Sequence, residues 1–103
     1  MEKTFVTHNE KDINCGGTSY QGEINVSYKN IEKIFGKPET GDGYKVDAEW
    51  IVEFEDGIIA TIYNYKDGKN YNGKGGTATK KIRDWHIGGF SKDVVQRIYD
   101  LLL

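Results

Sequence analysis

The chain has 103 residues, of which 37% are hydrophobic and 13% aromatic, and a formal charge of −2. That length allows one packed core and no second domain, and the apolar content argues against a disordered chain. The near-neutral charge excludes a globally basic nucleic-acid binder, and the lone Cys15 excludes an internal disulfide. Without an apolar leader at the N-terminus or a run long enough to span a bilayer, the expectation is a single domain, residues 1–103, in a reducing cytoplasm.

In chain order, Lys3 to Thr7 is a short predicted strand, followed by a polar stretch. Thr18 to Val26 alternates Tyr20, Gly22, Ile24 and Val26 on one parity, and Gly22 inside it predicts a bulge or a close backbone approach. Ser27 is suited to cap a helix over Tyr28 to Phe35, with Ile31, Ile34 and Phe35 on one stripe. Gly36 and Pro38 end that helix.

The strongest pattern is a hairpin from Tyr44 to Tyr65, with Asp56-Gly57 at its turn. Read as a two-residue loop, it pairs Phe54 with Ile59, Val52 with Thr61 and Trp50 with Tyr63. Trp50, Val52, Phe54, Ile59, Tyr63 and Tyr65 would then face the helices. Glu49, Ile51, Glu53, Ile58, Ala60 and Ile62 would form the other face, to be covered by the N-terminal strand, a second subunit or a partner. Lys81 to Ile87 predicts the last strand, ended by Gly88-Gly89, and Ser91 a cap for a C-terminal helix with Val94, Val95, Ile98, Leu101 and Leu102 on one face. Together these predict an α+β fold: a four- to five-stranded, mostly antiparallel sheet with two helices packed on one face.

Charge is unevenly placed. Residues 39–56 hold seven acids against Lys45, and residues 66–83 hold six bases against Asp67, so the molecule is lopsided unless the segments neutralise each other. The basic loop begins with Gly68-Lys-Asn-Tyr-Asn-Gly73-Lys74-Gly75, which approaches a phosphate-binding loop but puts Gly75 where magnesium needs a hydroxyl. What survives is a glycine-rich nest for an anion or a partner, with Tyr65, Lys66, Lys69, Tyr71 and Lys74 as binding residues. The acidic set Asp47, Glu49 and Glu53 is a second candidate surface. Asp84 and His86 on one strand face suggest an oriented imidazole, but Cys15, Ser19 and Ser91 stand in no nucleophile motif. Two histidines and one cysteine at wide spacing make no metal site. The expectation is therefore a protein without enzymatic activity, cofactor or metal.

Three segments carry a family resemblance: Thr18, Ser19, Gln21 and Gly22; Trp50 with Asp56-Gly57; and Trp85, His86, Gly88 and Gly89. From Gly17 to Phe90 the chain resembles a small domain encoded in tailed phages and prophages. The resemblance implies a phage origin and, by association, a counter-defence role in the host cytoplasm: an anti-CRISPR-like inhibitor that binds an immune effector protein or its nucleic acid. The alternatives are a sponge for a cyclic nucleotide signal, oligomeric or pocketed, with Trp85 or His86 near the base, and a structural or assembly protein of the virion.

Overall fold

A computed structural model describes residues 4–40, 46–65 and 72–103. The five strands are β1 (Phe5–Thr7), β2 (Ser19–Asn25), β3 (Glu49–Phe54), β4 (Ile59–Tyr63) and β5 (Asp84–Gly89). They form one antiparallel sheet in the order β1-β3-β4-β5-β2. Helices α1 (Tyr28–Phe35) and α2 (Asp93–Leu102) both pack on one face, as the α+β reading expects. No helix of the described residues is long and apolar enough to cross a membrane.

The core lies between the sheet and these helices, and its centre is a pair of tryptophans. Trp50 and Trp85 are both fully buried and meet edge to face, with ring centroids 5.2 Å apart. Each indole N–H would be costly to bury unpaired, and each finds a backbone carbonyl at one end of α1. Trp85 Nε1 donates to Val26 O at 3.0 Å, just before the helix, and Trp50 Nε1 donates to Gly36 O at 2.7 Å, just after it. Ser27 caps α1 as predicted, accepting from Asn30 N, while Gly36 at φ 84° closes it through its N–H to Glu32 O.

The hairpin differs from its predicted register by one residue. Its loop is Glu55–Gly57: Gly57 N donates to Phe54 O, Phe54 N donates to Ile58 O, and Gly57 takes φ 86°. This is the turn followed by a left-handed glycine that a three-residue loop requires. Trp50 therefore pairs with Ile62 and Val52 with Ala60, while Glu49 pairs with Tyr63. The slip turns β4 over, so Ala60 and Ile62 enter the core and Ile59, Thr61 and Tyr63 go to the opposite face.

Two further corrections concern glycines. Gly88 and Gly89 do not end β5 but lie within it, paired to both β4 and β2. A Cβ on Gly89 would stand 2.7 Å from Val94 Cγ2, and one on Gly22 would stand 2.9 Å from Val95 Cγ2. Helix α2 thus rests directly on the sheet backbone, and the predicted close approach at Gly22 is seen. A bulge between Tyr20 and Gly22 also breaks the predicted parity, sending Tyr20 to the face opposite Ile24. At the start of α2 the Ser91 hydroxyl bonds the Asp93 carboxylate, and Lys92 occupies the cap without a side-chain bond. Finally, Lys81 belongs to a short 3₁₀ turn (Thr79–Lys81) rather than to β5.

The hairpin tip is fastened to α2. Arg97 bonds both Asp56 oxygens, at 3.0 and 2.7 Å, and lies 5.1 Å from the Phe54 ring centroid. The ion pairs of Asp56 and Glu53 thus go to Arg97 and Lys11, neither of which belongs to the basic segment 66–83.

Replacing Trp85 by Ala should cost about 3–5 kcal/mol, the range for emptying a buried aromatic site. Chemical denaturation would measure it, and a loss below 1 kcal/mol (~ the scale of a surface change) would show that α1 is not held by the indole pair. The Arg97 hydrogen bonds hold the Asp56 carboxyl below its ordinary value of 3.8. That stabilisation is present above the ordinary value and is lost as pH falls through the lower, folded value. The stability difference between wild type and Arg97→Leu should therefore shrink on acidification through this window, as followed by denaturation midpoints.

Candidate functional site

Because β1 and β2 are the two edges of the sheet, the chain joining them must travel its full width, about 19 Å at the usual strand spacing. Lys11 on that connection reaches Glu53 at 2.6 Å. Thr18 at its end and Ser19, the first residue of β2, help to line a recess of ≈ 210 Å³ together with Glu49, Thr61, Tyr63 and Gly88. The connection so covers part of the face that has no helices. Beyond it, Tyr20 and Glu23 on that face are exposed.

On the open part, the register places four side chains in one row across the sheet: Glu49 on β3, Tyr63 on β4, His86 on β5 and Glu23 on β2. The row is a phenol and an imidazole between two carboxylates. Tyr20 and Tyr63 meet the His86 ring edge-on, with centroids at 5.0 and 5.5 Å, and Tyr65 lies at 5.7 Å with its plane tilted by 31°. Tyr20 is 53% exposed and Tyr65 42%. Glu23 Oε1 stands 3.8 Å from His86 Nε2. The floor beside the row is Gly88, where a Cβ would come within 2.5 Å of Thr61 Oγ1 and 3.4 Å of Tyr63 Cε1.

Among the described residues, the carboxylates of the row act on its phenols. Burial, then the Glu49 charge, raises the Tyr63 phenol above its ordinary value; desolvation, then Glu23, does the same at Tyr20. Asp84 shares this face and accepts from Asn25 at 2.8 Å. His86 therefore has Glu23 across the strand, rather than Asp84 along it, as its nearby carboxylate. Among the described residues no group of histidine, cysteine or carboxylate side chains is arranged to hold a metal ion.

The sequence-derived candidates fall into several places. Of the basic loop set, Tyr65 joins the aromatic cluster and Lys74 lies exposed on a 3₁₀ turn (Gly73–Gly75), while Lys66, Lys69 and Tyr71 lie outside the described residues. Of the acidic set, Glu49 lines the recess and Glu53 pairs with Lys11. Asp47 instead holds the start of β3: its carboxylate accepts from Asn64 Nδ2 at 3.0 Å, and Asn64 Oδ1 accepts from the N–H groups of Asp47 and Ala48. Trp85 is buried on the helix side and is closed to a stacking ligand, while His86, its neighbour in sequence, faces outward. Tyr20, Glu23 and Tyr63 were not anticipated at the site. The glycine within β2 was the available sign for Tyr20, since a bulge there reverses the parity before it.

No family model, no curated protein and no solved structure matches this chain.

Asn64 is fully buried, and replacing it with Leu should leave two amide donors at the start of β3 without their acceptor. A loss of about 2 kcal/mol is expected in denaturant unfolding. An unchanged midpoint would mean that water or the neighbouring chain replaces it.

Proposed function

We propose that the protein is a non-enzymatic binding module, and that it acts as a phage-encoded inhibitor of a bacterial immune system by docking the open face of its sheet on an effector. The observation that carries the reading is the strand-paired row Glu49, Tyr63, His86 and Glu23, half-buried except for the exposed Glu23, with the exposed rings of Tyr20 and Tyr65 against His86. Tyrosines in such a setting contribute contact area at low entropic cost and keep a polar tip for water or a partner. The phage origin and the immune target rest on the resemblance of the Thr18–Gly22, Trp50–Gly57 and Trp85–Gly89 segments.

The sponge reading is less well supported at this face. Carboxylates Glu23 and Asp84 lie on it and would repel a cyclic nucleotide's phosphates. A recess of ≈ 210 Å³ is also smaller than usual small-ligand pockets.

The test is phage plating on a host with an active CRISPR defence, with and without the protein. Wild type should raise plaque counts well above the empty-vector control, and a Tyr20→Asp, Tyr65→Asp variant with an unchanged melting curve should not. Failure of wild type across the defence systems tried would end the inhibitor reading. A melting temperature raised by cyclic oligonucleotides would transfer the assignment to the sponge.

A further inference from the structure

Away from the docking row, we propose that the corner where β2, α1, β5 and α2 meet binds the phosphate backbone of a nucleic-acid duplex. A recess of ≈ 420 Å³ lies there. It is lined by Asn25 at the end of β2, Lys29 in the first turn of α1, Lys33 one turn further on, Arg83 just before β5 and Leu102 at the end of α2. The lining carries three cationic side chains and no acidic one. Counting the carboxylate of Leu103 as well leaves it positive.

Folding gathers these charges from two parts of the sequence. Arg83 ends the basic segment 66–83, and Lys29 and Lys33 come from α1. The 3₁₀ turn that carries Lys80 and Lys81 packs against α1, so their charges join those of the recess. All five cations are exposed, and among the described residues none of them stands in an ion pair, whereas Lys11 and Arg97 do. The acids nearby are engaged elsewhere: Asp84 accepts the Asn25 amide, and Glu32, the one acid of α1, lies beside the Tyr28 phenol. Lys29 and Lys33, four apart on a helix, repel one another, so the fold gains nothing from this pair. A polyanion would turn that repulsion into attraction.

Charge density and ring placement select the occupant. Exposed cations spread over a helix, a turn and a strand approach suit a polymer with a charge at every step, since a small anion needs enclosure. A duplex carries one charge per about 1.7 Å, whereas an extended acidic peptide carries at most one per about 3.3 Å. No aromatic residue lines the recess, and the two rings of α1, Tyr28 and Phe35, are buried in the core. A single strand draws much of its affinity from bases stacked on exposed rings, and this surface offers it none. A duplex keeps its bases stacked and presents phosphates alone, and contacts to phosphates carry no sequence preference.

The experiment titrates a fluorescent mixed-sequence DNA duplex with the full chain across a salt series and reads anisotropy. Wild type should bind at low salt, with log affinity falling against log salt at a slope between about −3 and −4.5, as four or five phosphate contacts require. The double variant Lys29→Glu, Lys33→Glu should bind about tenfold or more weakly and with a slope shallower by about two. Melting curves check its fold, and Lys29→Gln, Lys33→Gln replaces it if the fold is lost. The control Lys37→Glu, Lys92→Glu makes the same charge change beyond the far ends of the two helices. It should lose much less at about 0.1 M salt, where charges more than about 10 Å apart are screened. No binding at low salt, an equal loss in the control, equal affinity for a polyglutamate peptide, or tighter binding of the single strand would each overturn the proposal. An RNA duplex of the same sequence runs in parallel, and a preference for it would keep the site and make RNA its ligand. The recess and the docking row share no residue, so either can fail while the other stands.

Discussion

The fold depends on how two indoles are satisfied. Trp50 and Trp85 come from different strands, meet at the centre of the core, and direct their N–H groups to carbonyls on either side of α1. A tryptophan buried without a partner for its nitrogen would be a liability. Here that requirement fixes the helix at both ends and so sets its position on the sheet. Tyr28, the first residue of α1, lies 5.5 Å from one indole and 6.4 Å from the other, filling the angle between them. A helix of eight residues is too short to persist alone, so its order comes from this clamp and from Ile31 and Phe35 beneath it.

The second helix is held differently. Glycines at positions 22 and 89 let Val95 and Val94 settle against the strands, and the Tyr99 hydroxyl donates to Glu23 O at 2.5 Å. This bond reaches the backbone of the residue whose side chain ends the row on the opposite face. The helix layer and the candidate site are thus connected through one residue of β2.

Element types were legible in the sequence, and the faces were not. Alternation identified β2, β3, β4 and β5, and capping chemistry identified α1 with its bounds. What failed was parity, at two places, each time by one residue. The Asp-Gly pair suggested a two-residue turn, but Gly57 takes its left-handed conformation as the third residue of a longer loop, and so Tyr63 changed sides. Gly22 announced a bulge, but the alternation was carried through it, and so Tyr20 was placed on the same parity as Ile24 and Val26. Both misplaced residues are tyrosines, whose amphipathic side chains suit a core or a wet surface equally, so composition could not correct the error. His86 was placed correctly because β5 has no bulge between Asp84 and Gly88. Trp85 was offered as a ligand contact because a sequence does not show that a large aromatic is already enclosed on every side.

The placement of β1 and β2 at opposite edges has a kinetic consequence. The three central strands β3, β4 and β5 follow one another in sequence and pair with their neighbours, so they can assemble through one short loop closure and one longer one. The two strands made first on the ribosome have to wait. Neither pairs with the other, β1 needs β3, and β2 needs β5, which emerges some sixty residues later. Nascent β2 therefore spends most of synthesis as an unpaired strand, and the side chains it carries in that interval (Ser19, Tyr20, Gln21, Glu23 and Asn25) are mostly polar. The composition that suits an exposed edge in the finished sheet also suits a strand that is kept waiting for its partner.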